Sequence, residues 1–133
     1  MMAQERSILK RFATSSEARA LDGEAGWSAT VDAFARIRFG RDISALTGAA
    51  LEEILFRIFP EEVVCSPAEA SSIVIELRAF FRFVSRELRS KNVDGCLRVL
   101  DATAARRLRR SIADPANFGT AKLFLHHAGP IAP

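Results

Sequence analysis

The feature that most constrains the fold is the stretch from Pro67 to Arg89, which has the spacing of one long helix. Ser66 is suited to cap this helix, and Pro67 is suited to its first position, where no N–H is needed. At about 100° per residue, the apolar residues collect on one broad face. That face comprises Ala70, Ile73, Val74, Leu77, Phe80, Phe81, Val84 and Leu88.

A second apolar patch lies on the opposite side of the same helix and comprises Ile75, Ala79 and Phe83. Polar residues fill the gaps between the two apolar sides: Arg78, Arg82 and Arg89 in one, and Glu69, Glu76 and Glu87 in the other. A helix that is apolar on two sides is typical of a position between layers. We therefore expect residues 67–89 to be the central helix of the fold. The alternative is that the second patch is a dimer interface.

Helical spacing also dominates the chain before this central helix. It predicts a helix over residues 4–13, a short helical turn over 16–21 and a helix over 27–39. A further helix begins at Thr47, a suitable N-cap, and is expected to end at Pro60 because proline interrupts a helix.

After the central helix, Asn92 to Gly95 reads as a turn, and Asp94 can cap a helix that runs to about Ala113. Asp101 lies near the apolar stripe of that helix, where a charge costs free energy unless it is paired. Asp114 and Pro115 then open a last helix, which Gly129 and Pro130 end.

Stretches of alternating polarity are nearly absent, so the predicted fold class is all-α. The chain has 133 residues, of which 49% are hydrophobic, and this suits one domain with its own core. No apolar run approaches the ~20 residues of a membrane-spanning helix. We predict a single orthogonal or bundle-like domain over residues 1–133, with five to six helices around residues 67–89. Residues 1–26 could be loosely attached to it.

The sequence offers no catalytic or metal-binding pattern. Its two cysteines, Cys65 and Cys96, are far apart, and its two histidines, His126 and His127, are adjacent and point in different directions on a helix. Zinc sites usually supply ligands in close pairs, and phosphate-binding glycine loops are missing. We therefore predict no enzyme activity, no metal and no cofactor. Without a signal-peptide core, the expected location is the reducing cytoplasm, with both thiols free and buried.

Five arginines form the most conspicuous charged cluster of the sequence. They are Arg98, Arg106, Arg107, Arg109 and Arg110. The last four fall in the final turns of the predicted helix, where cations complement the negative end of the helix dipole. The alternative is that the cluster is a surface for phosphates or for an acidic partner. The net charge of the chain, +3, is small for a dedicated nucleic-acid binder.

Two stretches resemble a helical module of uncharacterised bacterial proteins that occurs in or beside plasmid ORF-3-like proteins. The first joins residues 54–60 and 75–83, and the second is the string DPANFGTAK at 114–122. The resemblance covers about residues 51–127 and implies a helical fold without an established activity. The motif residues of the second stretch are Asp114, Pro115, Asn117, Phe118, Gly119 and Lys122. Their types suit a capped helix that docks closely on a neighbour.

Three functional hypotheses follow. The first is a non-enzymatic module that forms homo-oligomers or docks onto a partner protein, based on the two-sided central helix. The second is a nucleic-acid-associated protein that uses the arginine cluster. The third is an enzyme whose site assembles from dispersed arginines and glutamates.

Overall fold

The computed structural model describes residues 2–21 and 26–117. In these ranges the chain is helical and contains no strand, which confirms the all-α fold class. The α-helices are α1 (Met2–Ala13), α2 (Ser16–Arg19), α3 (Trp27–Phe39), α4 (Gly48–Glu53), α5 (Phe59–Glu62), α6 (Ala70–Leu88), α7 (Val93–Val99) and α8 (Ala104–Ala113). Short 3-10 helices cover Ile43–Ala45, Pro67–Glu69 and Pro115–Asn117. Of the helices in the described part, none has the length and apolar character needed to cross a bilayer.

The central helix is α6, entered through the 3-10 turn Pro67–Glu69, where Ser66 and Glu69 form a capping box. Phe80 lies at the centre of its packing, with its ring centroid 5.2 Å from those of both Phe12 and Phe81 in edge-on geometry. Of the predicted main face, only Leu88 at the last position is exposed. The prediction for this helix is therefore confirmed in its range and, with that exception, in its buried face.

The second apolar patch of α6 is only partly covered. Phe83 is buried, and its ring centroid lies 5.7 Å from that of Phe12 in α1. Ala79 is also buried, whereas Ile75 keeps 52% of its surface exposed. Position between layers therefore accounts for Ala79 and Phe83, and Ile75 remains on the surface.

The sequence pattern places Glu76 in a polar gap of α6, whereas in the structure its buried carboxylate caps another helix. Helix α3 begins after Gly26, which has no side chain that could accept a hydrogen bond from the first turn. The N–H of Ser28 instead donates to Oε2 of Glu76 at 2.6 Å, and Glu76 is only 3% exposed. A carboxylate at a helix N-terminus is favourable for the helix dipole, which stabilises this buried charge.

The prediction that Pro60 ends its helix is wrong. A π-helical segment, Ile54–Ile58, joins α4 to α5, so the helical path continues to Glu62. The N–H of Phe59 donates to the carbonyl of Ile54, five residues back, and Pro60 then stands in the first turn of α5. The wider turn accommodates proline because no N–H is required there.

The prediction of one helix from Asp94 to about Ala113 is also wrong. The backbone leaves the helical path at Leu100, and Asp101 is exposed rather than on an apolar stripe. Its carboxylate accepts hydrogen bonds from the N–H and the hydroxyl of Thr103, at 2.9 and 2.7 Å, immediately before α8. The hydroxyl bond is the main cause of a lowered pKa of Asp101. Asp94 lies in the first turn of α7 instead of capping it.

Helices α4 and α7 approach closely through two glycines. Thr47 caps α4 as predicted, since its Oγ1 accepts from the N–H of Ala50 at 3.1 Å. A Cβ on Gly48 would lie 2.8 Å from the carbonyl oxygen of Gly95.

The predicted turn at Gly95 is wrong, because Gly95 lies inside α7, at the point where α7 meets α4. The Sγ of buried Cys96 donates to the carbonyl of Leu46 at 3.2 Å and holds the same crossing.

We predict that Glu76→Ala lowers the free energy of unfolding by about 1.5–3 kcal/mol, because it leaves a buried N–H without its charged acceptor. Urea unfolding of the full chain measures the loss. Glu52→Ala, which removes an exposed carboxylate, should cost at most about 1 kcal/mol. Equal losses in the two variants would contradict the capping role of Glu76.

The glycine crossing gives a matched pair of substitutions. Gly48→Ala should destabilise the fold by about 1–3 kcal/mol, since its Cβ meets backbone atoms of α7 that cannot move aside easily. Gly95→Ala places its Cβ 3.5 Å from the Gly48 nitrogen, an ordinary contact. It should be neutral or stabilise by about 0.5–1 kcal/mol through helix propensity. Thermal unfolding of both variants checks this. A destabilising effect of Gly95→Ala would contradict the space found beside Gly95 at the contact between α4 and α7.

Candidate interaction surface

Helix α8 carries the arginine cluster on a strongly two-sided helix. Ala104, Leu108 and Ile112 are buried, and they face the core beside α6 and α5. The other sides bear four exposed arginines, which we name the α8 arginine face: Arg106, Arg107, Arg109 and Arg110. At about 100° per residue, Arg106 and Arg110 point away from Leu108, and the other two lie on opposite flanks.

Arg107 is held against the surface formed by α4 and the π-helical segment. Its guanidinium carbon lies 4.0 Å from the ring centroid of Phe56, and its Nη2 lies 3.7 Å from Oε2 of Glu52. A cation over an aromatic ring is stabilised by about 0.5–1 kcal/mol at exposed sites. This contact joins residues 51 positions apart in the chain, so no local sequence pattern could have indicated it.

A shallow cleft of about 350 Å³ lies on that flank. Its lining residues are Ala49, Glu52, Glu53, Phe56 and Arg57. Arg57 forms ion pairs with Glu53 and Glu61, and its hydrogen bond to Glu53 lowers the pKa of that carboxyl. The charges of this flank are therefore largely balanced.

The other three arginines of the face have no such partners. Among the described residues, no carboxylate lies within 4 Å of Arg106, Arg109 or Arg110. Positive charge is also concentrated in this part of the sequence. Residues 89–133 contain eight basic and three acidic residues, whereas residues 1–88 contain 11 basic and 13 acidic residues.

The break between α7 and α8 removes the helix-dipole explanation for two of the four arginines of the α8 arginine face. Because α8 begins at Ala104, Arg106 and Arg107 lie in its first turn instead of in the last turns of a long helix. A cation near a helix N-terminus is unfavourable by about 0.3–1 kcal/mol. The contacts with Phe56 and Glu52 offset this for Arg107. Among the described residues Arg106 has no comparable contact, and none of them explains its position.

Arg98 does not belong to the same helix. It is exposed in the last turn of α7, where a cation complements the helix dipole. The structure therefore divides the five predicted arginines into one on α7 and four on α8.

The motif string begins as predicted and then leaves the described residues. Asp114 follows α8, and its Oδ1 accepts from the N–H of Ala116 at 3.0 Å, at the 3-10 turn that starts with Pro115. The side-chain amide of Asn117 donates to the carbonyl of Ser111 at 3.0 Å. The predicted last helix is described only in this 3-10 turn; its remainder, with Phe118, Gly119, Lys122 and both histidines, lies outside the described residues.

Neither cysteine belongs to the α8 arginine face or lines the cleft beside it. Neither forms a disulfide; Cys96 is buried as predicted, and Cys65 is only half-buried. Burial raises the pKa of the Cys96 thiol to about 12, so it stays protonated at neutral pH. Within residues 2–21 and 26–117, no three histidine, cysteine or acidic side chains are grouped so that they could hold a metal ion.

Comparisons with protein-family models, with curated proteins and with solved structures find no match for this chain. The resemblance to the helical module of plasmid ORF-3-like proteins therefore stays a prediction.

Arg106 and Arg107 should differ in their effect on stability, although they are adjacent. Both variants remove a cation from the first turn, but only Arg107→Gln also loses the Phe56 contact, so its free energy of unfolding should be about 0.5–1 kcal/mol lower than that of Arg106→Gln. Arg106→Gln itself should leave the free energy of unfolding unchanged or raise it by a few tenths, up to about 1 kcal/mol, because a cation leaves the helix N-terminus. Urea unfolding at low salt measures both, and a larger loss for Arg106→Gln would contradict this assignment.

Proposed function

We propose that the protein is a non-enzymatic binding module that docks an acidic partner protein through the α8 arginine face. The observation that carries the proposal is Arg106. It occupies an electrostatically unfavourable position in the first turn of α8, is exposed and has no carboxylate nearby among the described residues. A bound carboxylate would pair with its guanidinium in a bidentate geometry and offset the unfavourable position.

The neighbouring flank favours a protein over a nucleic acid as the partner. Glu52, Glu53 and Glu61 lie next to the arginine face, around the Phe56 cleft. A phosphate backbone carries about one charge per 1.7 Å of duplex, and this flank offers it no net positive charge, because its carboxylates and arginines balance one another. A partner protein can instead present acidic groups to Arg106, Arg109 and Arg110 and basic or apolar groups to the cleft.

A nucleic-acid-associated role is the second candidate. It is favoured by the excess of basic residues between positions 89 and 133. The two candidates differ in how binding responds to salt, because counterion release from duplex DNA gives a slope of about 0.9 log unit per phosphate contact.

The test compares a fluorescently labelled, aspartate-rich peptide with a labelled DNA duplex of equal charge. Anisotropy titrations over a range of salt concentrations use the full chain and a triple variant, Arg106→Gln, Arg109→Gln and Arg110→Gln. We expect the wild type to bind the peptide more tightly than the duplex. The triple variant should bind the peptide at least about tenfold more weakly, a loss of about 1.4 kcal/mol.

Arg98→Gln is the matched control, since Arg98 is an exposed arginine on another helix, and its peptide affinity should change less than about twofold. Stronger, steeply salt-dependent binding to the duplex that the triple variant loses would establish the second candidate instead. Binding of neither probe would refute both candidates. An elution mass above that of a monomer, unchanged in the triple variant, would favour homo-oligomerisation through another surface.

A further inference from the structure

A second surface lies where α2 crosses the outer side of α6, and we name it the α2–α6 groove. It has a volume of about 360 Å³ and is open along one side. Its lining residues are Ser16, Glu17, Ala20, Leu21, Ile75, Ala79 and Arg82. None of these residues belongs to the α8 arginine face.

The floor of this groove is the uncovered remainder of the second apolar patch of α6. Ile75, Ala79 and Arg82 stand four and then three residues apart, so they form one stripe along the helix. Ile75 is 52% exposed, although most of the hydrophobic residues of α6 are buried. The stripe therefore runs from an aliphatic end to a cationic end, about 10.5 Å apart at 1.5 Å per residue.

The charges at the groove leave one cation without a partner. Arg82 is exposed and has no ion pair or hydrogen bond among the described residues. Glu17, the carboxylate that lines the groove, is already bound to Arg86, with Nη2–Oε1 at 2.7 Å and Nε–Oε2 at 2.9 Å. Hydrogen bonds from Arg86 lower the pKa of Glu17 to about 2, so Glu17 stays ionised and engaged at neutral pH.

We propose that the α2–α6 groove binds an amphipathic helix of a partner protein. An aliphatic side chain of that helix packs between Leu21 and Ile75, and a carboxylate about two turns away pairs with Arg82. Apolar anchors at helical spacing are the usual determinants of helix-in-groove recognition. The guanidinium of Arg82 requires an acidic side chain on the bound helix, and the position of that side chain relative to the aliphatic anchor sets the direction of the helix.

Two other occupants fit the charges and the shape less well. A second copy that met this groove with its own groove would bring one carboxylate, Glu17, and Glu17 is already bound to Arg86 and not to Arg82. Such a dimer would bury a charge without a partner, which is costly. A small amphipathic molecule would remain largely exposed along the open side, whereas small-molecule sites usually bury most of their ligand.

The experiment uses backbone amide NMR shifts of the isotopically labelled full chain. The probe is a short alanine-based helical peptide with a leucine and a glutamate seven residues apart. A second peptide replaces the glutamate with glutamine. We expect shifts centred on Leu21, Ile75 and Ala79. We also expect at least about fivefold weaker binding of the glutamine peptide, the equivalent of about 1 kcal/mol.

Ile75→Ser and Arg82→Gln should each weaken binding of the first peptide by at least about fivefold. The matched controls are Ile37→Ser and Arg19→Gln, which alter an exposed isoleucine and an exposed arginine outside the groove. These controls should bind with unchanged affinity. The amide spectra of the four variants also report whether each one is folded.

Absence of shifts at millimolar peptide would refute the groove proposal. Shifts confined to α8 would also refute it, while leaving the proposed function of the arginine face standing. A concentration-dependent dimer that Ile75→Ser abolishes would show that the occupant is a second copy, contrary to the proposal.

Discussion

The hydrogen bond from the N–H of Ser28 to the buried carboxylate of Glu76 ties the start of α3 to the central helix, and the chain that follows α3 builds on the position this gives it. Once α3 is fixed, Asp32 accepts from the N–H of Ile43 at 2.9 Å, at the start of the 3-10 turn that Asp42 caps through the N–H of Ser44. That turn leads to Thr47, which caps α4. Side-chain acceptors thus satisfy the starts of three successive helical segments. The first of these acceptors comes from a different part of the chain.

The end of this succession determines how closely α4 meets α7. Gly48 lies at the first position of α4 and touches the backbone of α7 at Gly95. The side-chain amide of Asn92 donates to the carbonyl of Ala45 at 3.3 Å, beside the bond from Cys96 to Leu46. The short helix α7 therefore serves as the support for the start of α4. A continuous helix from Asp94 to Ala113 would have to contact α4 with its first half and α5 and α6 with its second half along one straight axis.

Features that depend on neighbours in the chain could be predicted from the sequence. The central helix, the cap at Thr47 and the bond from Asp114 to Ala116 each follow from residues within four positions of one another. Features that depend on hydrogen-bond acceptors far away in the chain could not be predicted in this way. The polar gap of α6 predicts an exposed Glu76. Its burial follows only once the start of α3 at Gly26, which has no side-chain cap, is known to lie beside it.

The same distinction explains the errors at Pro60 and Leu100. Because proline lacks an N–H, Pro60 predicts the end of a helix. The π-helical segment before it places Pro60 in the first turn of α5, where no N–H is required, so the helical path continues. The break at Leu100 is held by Arg78 of α6, whose guanidinium donates to the carbonyls of Leu100 and Asp101. Neither the wider turn nor the distant donor has a local sequence signal.

The arginines show why residue type alone does not separate a candidate binding surface from arginines that serve the fold. Arginine supplies 16 of the 19 basic residues, and many of them have structural acceptors. Arg57, Arg78 and Arg86 each bind carboxylates or carbonyls of the fold. Arg82 lies one helical turn after Arg78 and has no acceptor among the described residues. A surface arginine becomes a candidate for binding only after the acceptors of its neighbours are assigned. This criterion selects Arg106, Arg109 and Arg110 on the α8 arginine face and Arg82 in the α2–α6 groove. The two surfaces share no residue, and each would accept a carboxylate.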